Sequence, residues 1–149
     1  MFASVHSVGL RGLETYTVSV EADLSAGLPR FDMVGLPDAA VSESRERVRS
    51  AIRNSGLDFP VSRVTINLAP ADIRKEGPIY DLPVLIAVLK ATGQLKCDTE
   101  SRAFIGELSL SGEVRRINGV LPMVIQSRKA GFREIYIPHK NLAEGAVVE

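Results

Sequence analysis

Residues 67–83 read Asn67-Leu68-Ala69-Pro70-Ala71-Asp72-Ile73-Arg74-Lys75-Glu76-Gly77-Pro78-Ile79-Tyr80-Asp81-Leu82-Pro83. Just upstream, Val64, Ile66 and Leu68 alternate with Thr65 and Asn67, which predicts a strand over Arg63–Ala69. A tight polar loop comes next, and a helix begins near Asp81. Pro83 is tolerated in its first turn, where a missing N–H costs nothing. Val84 through Leu89 are apolar nearly all round, which marks a buried central helix, closed by Gly93. A strand–loop–helix junction of this kind presents backbone N–H groups and suits catalysis or anion binding. This one carries no Ser, Thr, Cys or His. It therefore predicts a non-catalytic module that regulates or supports something else.

Upstream, residues 3–8 and 15–23 read as strands. In the second, Tyr16, Val18, Val20 and Ala22 share one face, and Thr15, Thr17, Ser19, Glu21 and Asp23 the other. Arg30 to Gly35 is a third short strand, with Phe31 and Met33 on one side. The connections are too short for a crossover helix, so the three are expected to start an antiparallel sheet. Pro37 and Asp38 open a helix with Asp38 as N-cap and an apolar side of Val41, Val48, Ala51 and Ile52; Gly56 ends it. Downstream, a strand is expected over Phe104–Leu108, a turn at Ser111-Gly112, and a return strand over Glu113–Ile117. A third helix is expected over Gly119–Ala130, with Leu121, Val124, Ile125 and the stem of Arg128 toward the sheet. A last strand over Glu134–Ile137 stops at Pro138. The order β-β-β-α-β-α-β-β-α-β predicts an α/β (α+β) domain, a mixed sheet with helices mainly on one face. Residues 139–149 show no strong pattern, although Asn141–Glu144 could begin a helix; they are expected to start a linker beyond a domain of residues 1–138.

The 149 residues make one domain. Their formal net charge is zero, which argues against a dedicated nucleic-acid binder but allows a local patch. A lone Cys97 excludes an internal disulfide and a CxxC metal site, and two histidines near the ends do not make a zinc site. No segment reads as a signal peptide or a membrane span, which fits the cytoplasm and no membrane partner. Trp is absent and aromatics are 5%, so no stacking platform for single strands is evident.

These segments resemble the amino-terminal domain of the magnesium-chelatase-like AAA+ ATPases, the ComM/YifB family. The resemblance runs through Ser7–Leu10, Val18–Glu21, Phe31–Asp38, Val41–Val48, Asn67–Pro83, Phe104–Gly112 and Asn118–Pro138, and so covers essentially the whole chain. It implies the fold of ribosomal protein S5 domain 2 and of the Lon proteolytic domain, placed before an AAA+ ATPase domain. It also implies a hexameric DNA helicase promoting branch migration in natural transformation, in which neighbouring subunits and the chain's own ATPase domain are the partners. This chain has no GxxxxGK[ST] loop, so ATP and Mg²⁺ are expected on residues after Glu149 and no cofactor on this segment.

Lon-type peptidases are similar at Lys75-Glu76-Gly77-Pro78. By that resemblance their nucleophile falls on Ile79 and their lysine base near Met123, and neither side chain can act. No peptidase activity is expected. Four charged residues remain at the loop: Arg74, Lys75, Glu76 and Asp81. Lys75 reads either as a point charge for an anion or as a solvated lysine. Asp81 reads as the cap of the central helix or as a charge buried in the loop, with Gly77 and Pro78 fixing the entry. Elsewhere Arg45, Arg49 and Arg53 recur every four residues along one helix face, with Arg47 off the line and Glu43 and Glu46 between them. They suit DNA phosphates, or a solvated face with pairs such as Glu46–Arg49. Arg115 and Arg116 form a second small patch with the same two readings. Two functions stay open: an accessory domain of a DNA-processing motor, and a protein-binding adaptor with no DNA contact.

Overall fold

The computed structural model describes residues 1–146. Eight strands are present among them: β1 (Phe2–Arg11), β2 (Glu14–Ser25), β3 (Arg30–Val34), β4 (Arg63–Ala69), β5 (Arg102–Phe104), β6 (Glu107–Leu108), β7 (Val114–Arg115) and β8 (Glu134–Tyr136). The helices are α1 (Ala39–Ser42), α2 (Ser44–Asn54), α3 (Asp81–Ala91), α4 (Val120–Lys129) and α5 (Leu142–Gly145). Six strands form one mixed sheet in the order β3-β4-β2-β1-β5-β8, and β6 and β7 form a separate hairpin.

Long alternating strands make the centre. β1 and β2 pair antiparallel with Val5 opposite Val20 and Ser7 opposite Val18; β4 continues that face with Leu68 beside Val20 and Ile66 beside Ala22. All of these side chains are buried. β3 departs from the expected antiparallel start. It pairs parallel with β4, Phe31 beside Val64, and β4 takes the place next to β2. Connection length explains this. The short link from β2 allows an antiparallel turn, but α1 and α2 supply a crossover long enough for a parallel pair. The apolar β4 then gains a neighbour on both sides, and the shorter β3 takes the edge.

α3 lies across β1 and β2 on the Val5–Val20 face, and α2 packs against α3. Gly9 is required there: a side chain on it would occupy the place of the Tyr80 hydroxyl and the Tyr16 ring. α4 also contacts β1 and β2, but over the other face. Leu10 and Thr15 are register partners turned to that side; Thr15 Oγ1 donates to Gln126 at 3.0 Å, and Leu10 lies against Gly119. The inward residues of α4 are Val120, Met123, Val124 and Ser127. Val124 is inward as the sequence predicts, whereas Ile125 is exposed and Arg128 is not among the inward residues, a rotation of the face set by the sheet residues beneath it.

The structure corrects three smaller expectations. The first helix breaks at Glu43 into α1 and α2. The expected strand over Phe104–Leu108 splits: Ile105 and Gly106 turn the chain out of the sheet, with Gly106 N–H donating to Ile79 O at 2.9 Å. Residues 139–146 do not leave the domain as a linker. His139–Asn141 form a 3-10 turn that leads into α5; buried Asn141 accepts from Ile117 N–H at 3.0 Å and donates to Ile117 O at 2.9 Å, a two-way clasp on the chain before α4. The rest of the expected linker, 147–149, lies outside the described residues.

Among the described residues no helix is long and apolar enough to cross a membrane. No group of three or more His, Cys, Asp or Glu among them is placed to hold a metal ion.

Candidate functional site

The loop between β4 and α3 is held from two sides. Gly77 takes φ +80°, a conformation costly for other residues, and Pro78 starts a 3-10 turn over Pro78–Tyr80 that runs into α3. Asp38 ties this loop to α1 by dividing its carboxylate. Oδ1 accepts from Val41 N–H at 2.8 Å, the expected N-cap bond, and Oδ2 accepts from Gly77 N–H at 3.1 Å. The Asp38 N–H donates to Lys75 O, and the Lys75 N–H to Leu36 O, each at 3.0 Å.

Lys75 is fully buried, and its Nζ donates to the Pro70 carbonyl. Burial holds its pKa below the usual lysine range, partly offset by the charge of Asp72. It is neither a solvated lysine nor a point charge offered to an outside anion, because the loop closes over it. Asp81 is also fully buried, and its side chain caps no helix. Its carboxylate receives a two-pronged bond from Arg47, Nε to Oδ2 at 2.6 Å and Nη2 to Oδ1 at 3.1 Å, and accepts from Leu108 N–H at 3.0 Å. Arg47 also donates to Ala40 O at 2.7 Å. Burial opposes the charge on Arg47, and the bonds and charge of Asp81 outweigh it, leaving the guanidinium pKa raised. This ion pair joins α2, α3 and β6 at one point. Arg47 lies off the arginine line, and 34 positions separate it from Asp81. No local spacing links residues so far apart.

Beside the loop opens a cleft of about 460 Å³. Ile79 and Met123, the two positions singled out by the Lon resemblance, both line it, and both are buried. Leu10 and Ile117 complete the apolar wall. Asp38, Glu76, Glu107 and Arg116 supply the charge at its margin. Among the described residues no Ser, Thr, Cys, His, Lys or Tyr lines it. Hydrolysis by a hydroxyl or thiol beside a base needs such a pair within reach, and although the carboxylates at the margin could take a proton, this wall supplies no hydroxyl or thiol for them to activate. Glu107 and Asn118 belong to the cleft through the β6–β7 hairpin and its exit, a placement without a local sequence signal.

The arginine line on α2 splits. Arg45 turns back onto the backbone, Nε to Ser42 O at 3.0 Å and Nη1 to Phe31 O at 3.4 Å. Arg49 lies over the rings of Phe31 and Phe59, 5.9 and 5.5 Å from their centroids, and meets Glu46 at 3.4 Å, the anticipated pair. Arg53 is exposed in the last turn, where a cation suits the helix dipole. Arg115 and Arg116 are exposed on and after β7, and Arg116 reaches the cleft margin.

Residues 20–141 match the family model described as subunit ChlI of Mg-chelatase. The chain is 42% identical over 145 residues to YifB of Escherichia coli, covering 97% of this chain and 28% of that protein. It is 40% identical over 147 residues to competence protein ComM of Haemophilus influenzae, covering 98% and 29%. It is also 29% identical over 135 residues to the Lon protease of Chloroflexus aurantiacus, covering 85% and 16%. The chain thus spans less than a third of the length of the curated relatives it matches. A match through β2, β4, the cleft loop and α4 at this level makes the chain a member of the Mg-chelatase subunit ChlI family, related to YifB and ComM.

Proposed function

We propose that this chain is a non-catalytic accessory domain of a cytoplasmic, magnesium-chelatase-like AAA+ ATPase, a ComM-type hexameric DNA helicase that drives branch migration during uptake of DNA. The observation that carries the non-catalytic half is the cleft wall: Ile79 and Met123 line a common space with no hydroxyl, thiol, imidazole or amine among its described side chains. The relationship to ComM supports the motor half. ATP and Mg²⁺ would be held by residues outside this chain. Within the ring, this domain would dock on its own ATPase domain and on neighbouring subunits.

A second reading has one observation in its favour. The cleft stays open, with an apolar wall and a margin of mixed charge, as a peptide-holding adaptor would need. The test uses the full-length protein with ATP and Mg²⁺ on a labelled four-way DNA junction. ATP-dependent strand exchange is the expected outcome, and its absence from an assembled ring would sink the motor reading. Cleavage of an unstructured protein by the same preparation would sink the non-catalytic one. ATP-dependent delivery of a bound protein, with no salt-sensitive DNA binding, would favour the adaptor.

A further inference from the structure

Where α2 ends beside the start of β3, the chain builds a concavity that, among the described residues, contains three arginines and no carboxylate. Its wall is formed by Pro29, Arg30, Arg49, Arg53 and the segment Phe59–Ser62, around about 220 Å³. Arg30 comes from a strand edge, Arg49 and Arg53 from successive turns of α2. The parallel register also sets Arg30 beside Arg63. Like charges placed next to each other across strands destabilise a sheet. Two arginines of the wall do meet a carboxylate: Asp32 lies 3.2 Å from Arg30, and Glu46 lies 3.4 Å from Arg49. Both pairs are exposed on at least one side, and pairs of that kind contribute little. Neither carboxylate lines the concavity.

The arginines are also differently prepared. Arg49 is held in place by the Phe31 and Phe59 rings, so little side-chain freedom is lost when it meets a ligand. Arg30 and Arg53 are exposed and can close on an anion. The guanidinium fork matches two oxygens of a phosphate, and no lysine takes part. The volume lies below the roughly 300–1,000 Å³ typical of small-molecule pockets. It suits one phosphate group of a longer chain better than a whole free nucleotide. The zero net charge of the chain makes this a local contact rather than a general basic surface.

We infer that this concavity is a phosphate-binding site for the backbone of a DNA strand, with Arg53 and Arg30 closing on a phosphodiester over a fixed Arg49. The identity of the polymer rests on the DNA-motor reading; the anion chemistry rests on the wall itself. Arg45 and Lys75 have no part in it, since both are turned to backbone carbonyls.

The test is fluorescence anisotropy of the full-length protein with labelled single-stranded and duplex oligonucleotides across a potassium chloride titration. The double substitution Arg30→Gln/Arg53→Gln is expected to weaken duplex binding about tenfold and to lower the steepness of the log–log salt dependence by about two. Arg53→Gln alone is expected to lower it by about one. Arg133→Gln, just before β8 at the opposite sheet edge, is expected to change neither. Thermal melting confirms that each variant is folded. Wild-type and double-variant proteins binding DNA with the same affinity and salt dependence would overturn the site while leaving the motor reading intact. A wild-type protein that binds no DNA would remove both. Protection of the site by inorganic phosphate without oligonucleotide binding, or arginine-dependent binding to phosphatidylglycerol vesicles alone, would overturn the strand as its ligand.

Discussion

Two charged regions flank α2, and they use the same residue types to opposite ends. On the side of the cleft loop, Arg47, Lys75, Asp38 and Asp81 are all consumed internally: each is bonded to another part of the fold, and two of them are fully buried. At the end of α2, Arg30 and Arg53 remain exposed around a concavity with no carboxylate on its described wall. The difference shows that charge count does not identify a binding surface in this domain. What identifies it is the number of partners the fold has already supplied. A buried carboxylate with three donors is structural; an exposed guanidinium such as Arg30, whose carboxylate partner Asp32 meets it at the surface, is available.

Breaking the first region should have the largest effect. Asp81→Ala removes the two-pronged bond that holds Arg47 against the core, leaving it only Ala40 O and the exposed Glu43, and leaves Leu108 N–H without an acceptor. A loss of about 3–5 kcal/mol is expected in urea unfolding, the size typical of a broken buried ion pair. A loss below about 1 kcal/mol would put Asp81 in the same class as the exposed arginines and dissolve the contrast. Asp38→Ala removes one helix cap and the tie to Gly77, and about 1–2 kcal/mol is expected by the same measurement.

Lys75 sharpens the comparison through pH. Its folded-state pKa is lowered by burial, so between that value and the ordinary 10.5 the unfolded chain binds more protons than the folded one. Stability contributed by this group therefore rises as pH rises toward 10.5. Tyr16 and Tyr80 act in the reverse sense. Burial raises both, so their contribution is complete below the ordinary 10.0 and declines above it. Melting curves across the alkaline range should show a gain and then a decline. In Lys75→Met the gain should vanish, with a change within about 1 kcal/mol at neutral pH, since an apolar side chain of similar length replaces a buried charge. An unchanged alkaline gain in that variant would show that Lys75 is not its source.

The smallest effect belongs to the second region. Arg53→Gln should change stability by no more than about 0.5 kcal/mol, as at most exposed positions. A larger loss in urea unfolding would mean that the fold depends on this arginine and that it is not free for a ligand.

Much of the architecture is legible in the chain itself. The alternation of Val18, Val20 and Ala22, and of Val64, Ile66 and Leu68, locates both central strands and their inner faces. Asp38 is legible as an N-cap, since that bond spans three residues. Its second bond to Gly77 is not, because nothing near Asp38 announces a loop 39 positions away. The arginine line illustrates the same limit. A repeat of four places Arg45, Arg49 and Arg53 along one stripe, yet Arg45 turns to the backbone while Arg30, from another element, joins the other two. The docking of Asn141 on Ile117 likewise has no periodic signature, and a tail with no strong pattern reads as a linker.

Local pattern alone determined most strand and helix positions, the buried central helix and the lack of a Ser, Thr, Cys or His between Asn67 and Pro83, because each depends on neighbours within a few residues. Tertiary structure decided that β4 lies between β2 and β3, that Ile79 and Met123 share one cleft, that Arg47 belongs to Asp81 and that Arg30 belongs with Arg53. Those outcomes depend on which distant segments close on each other. Closure is governed by total apolar burial and the satisfaction of buried polar groups, and neither quantity is carried by any single stretch of the chain.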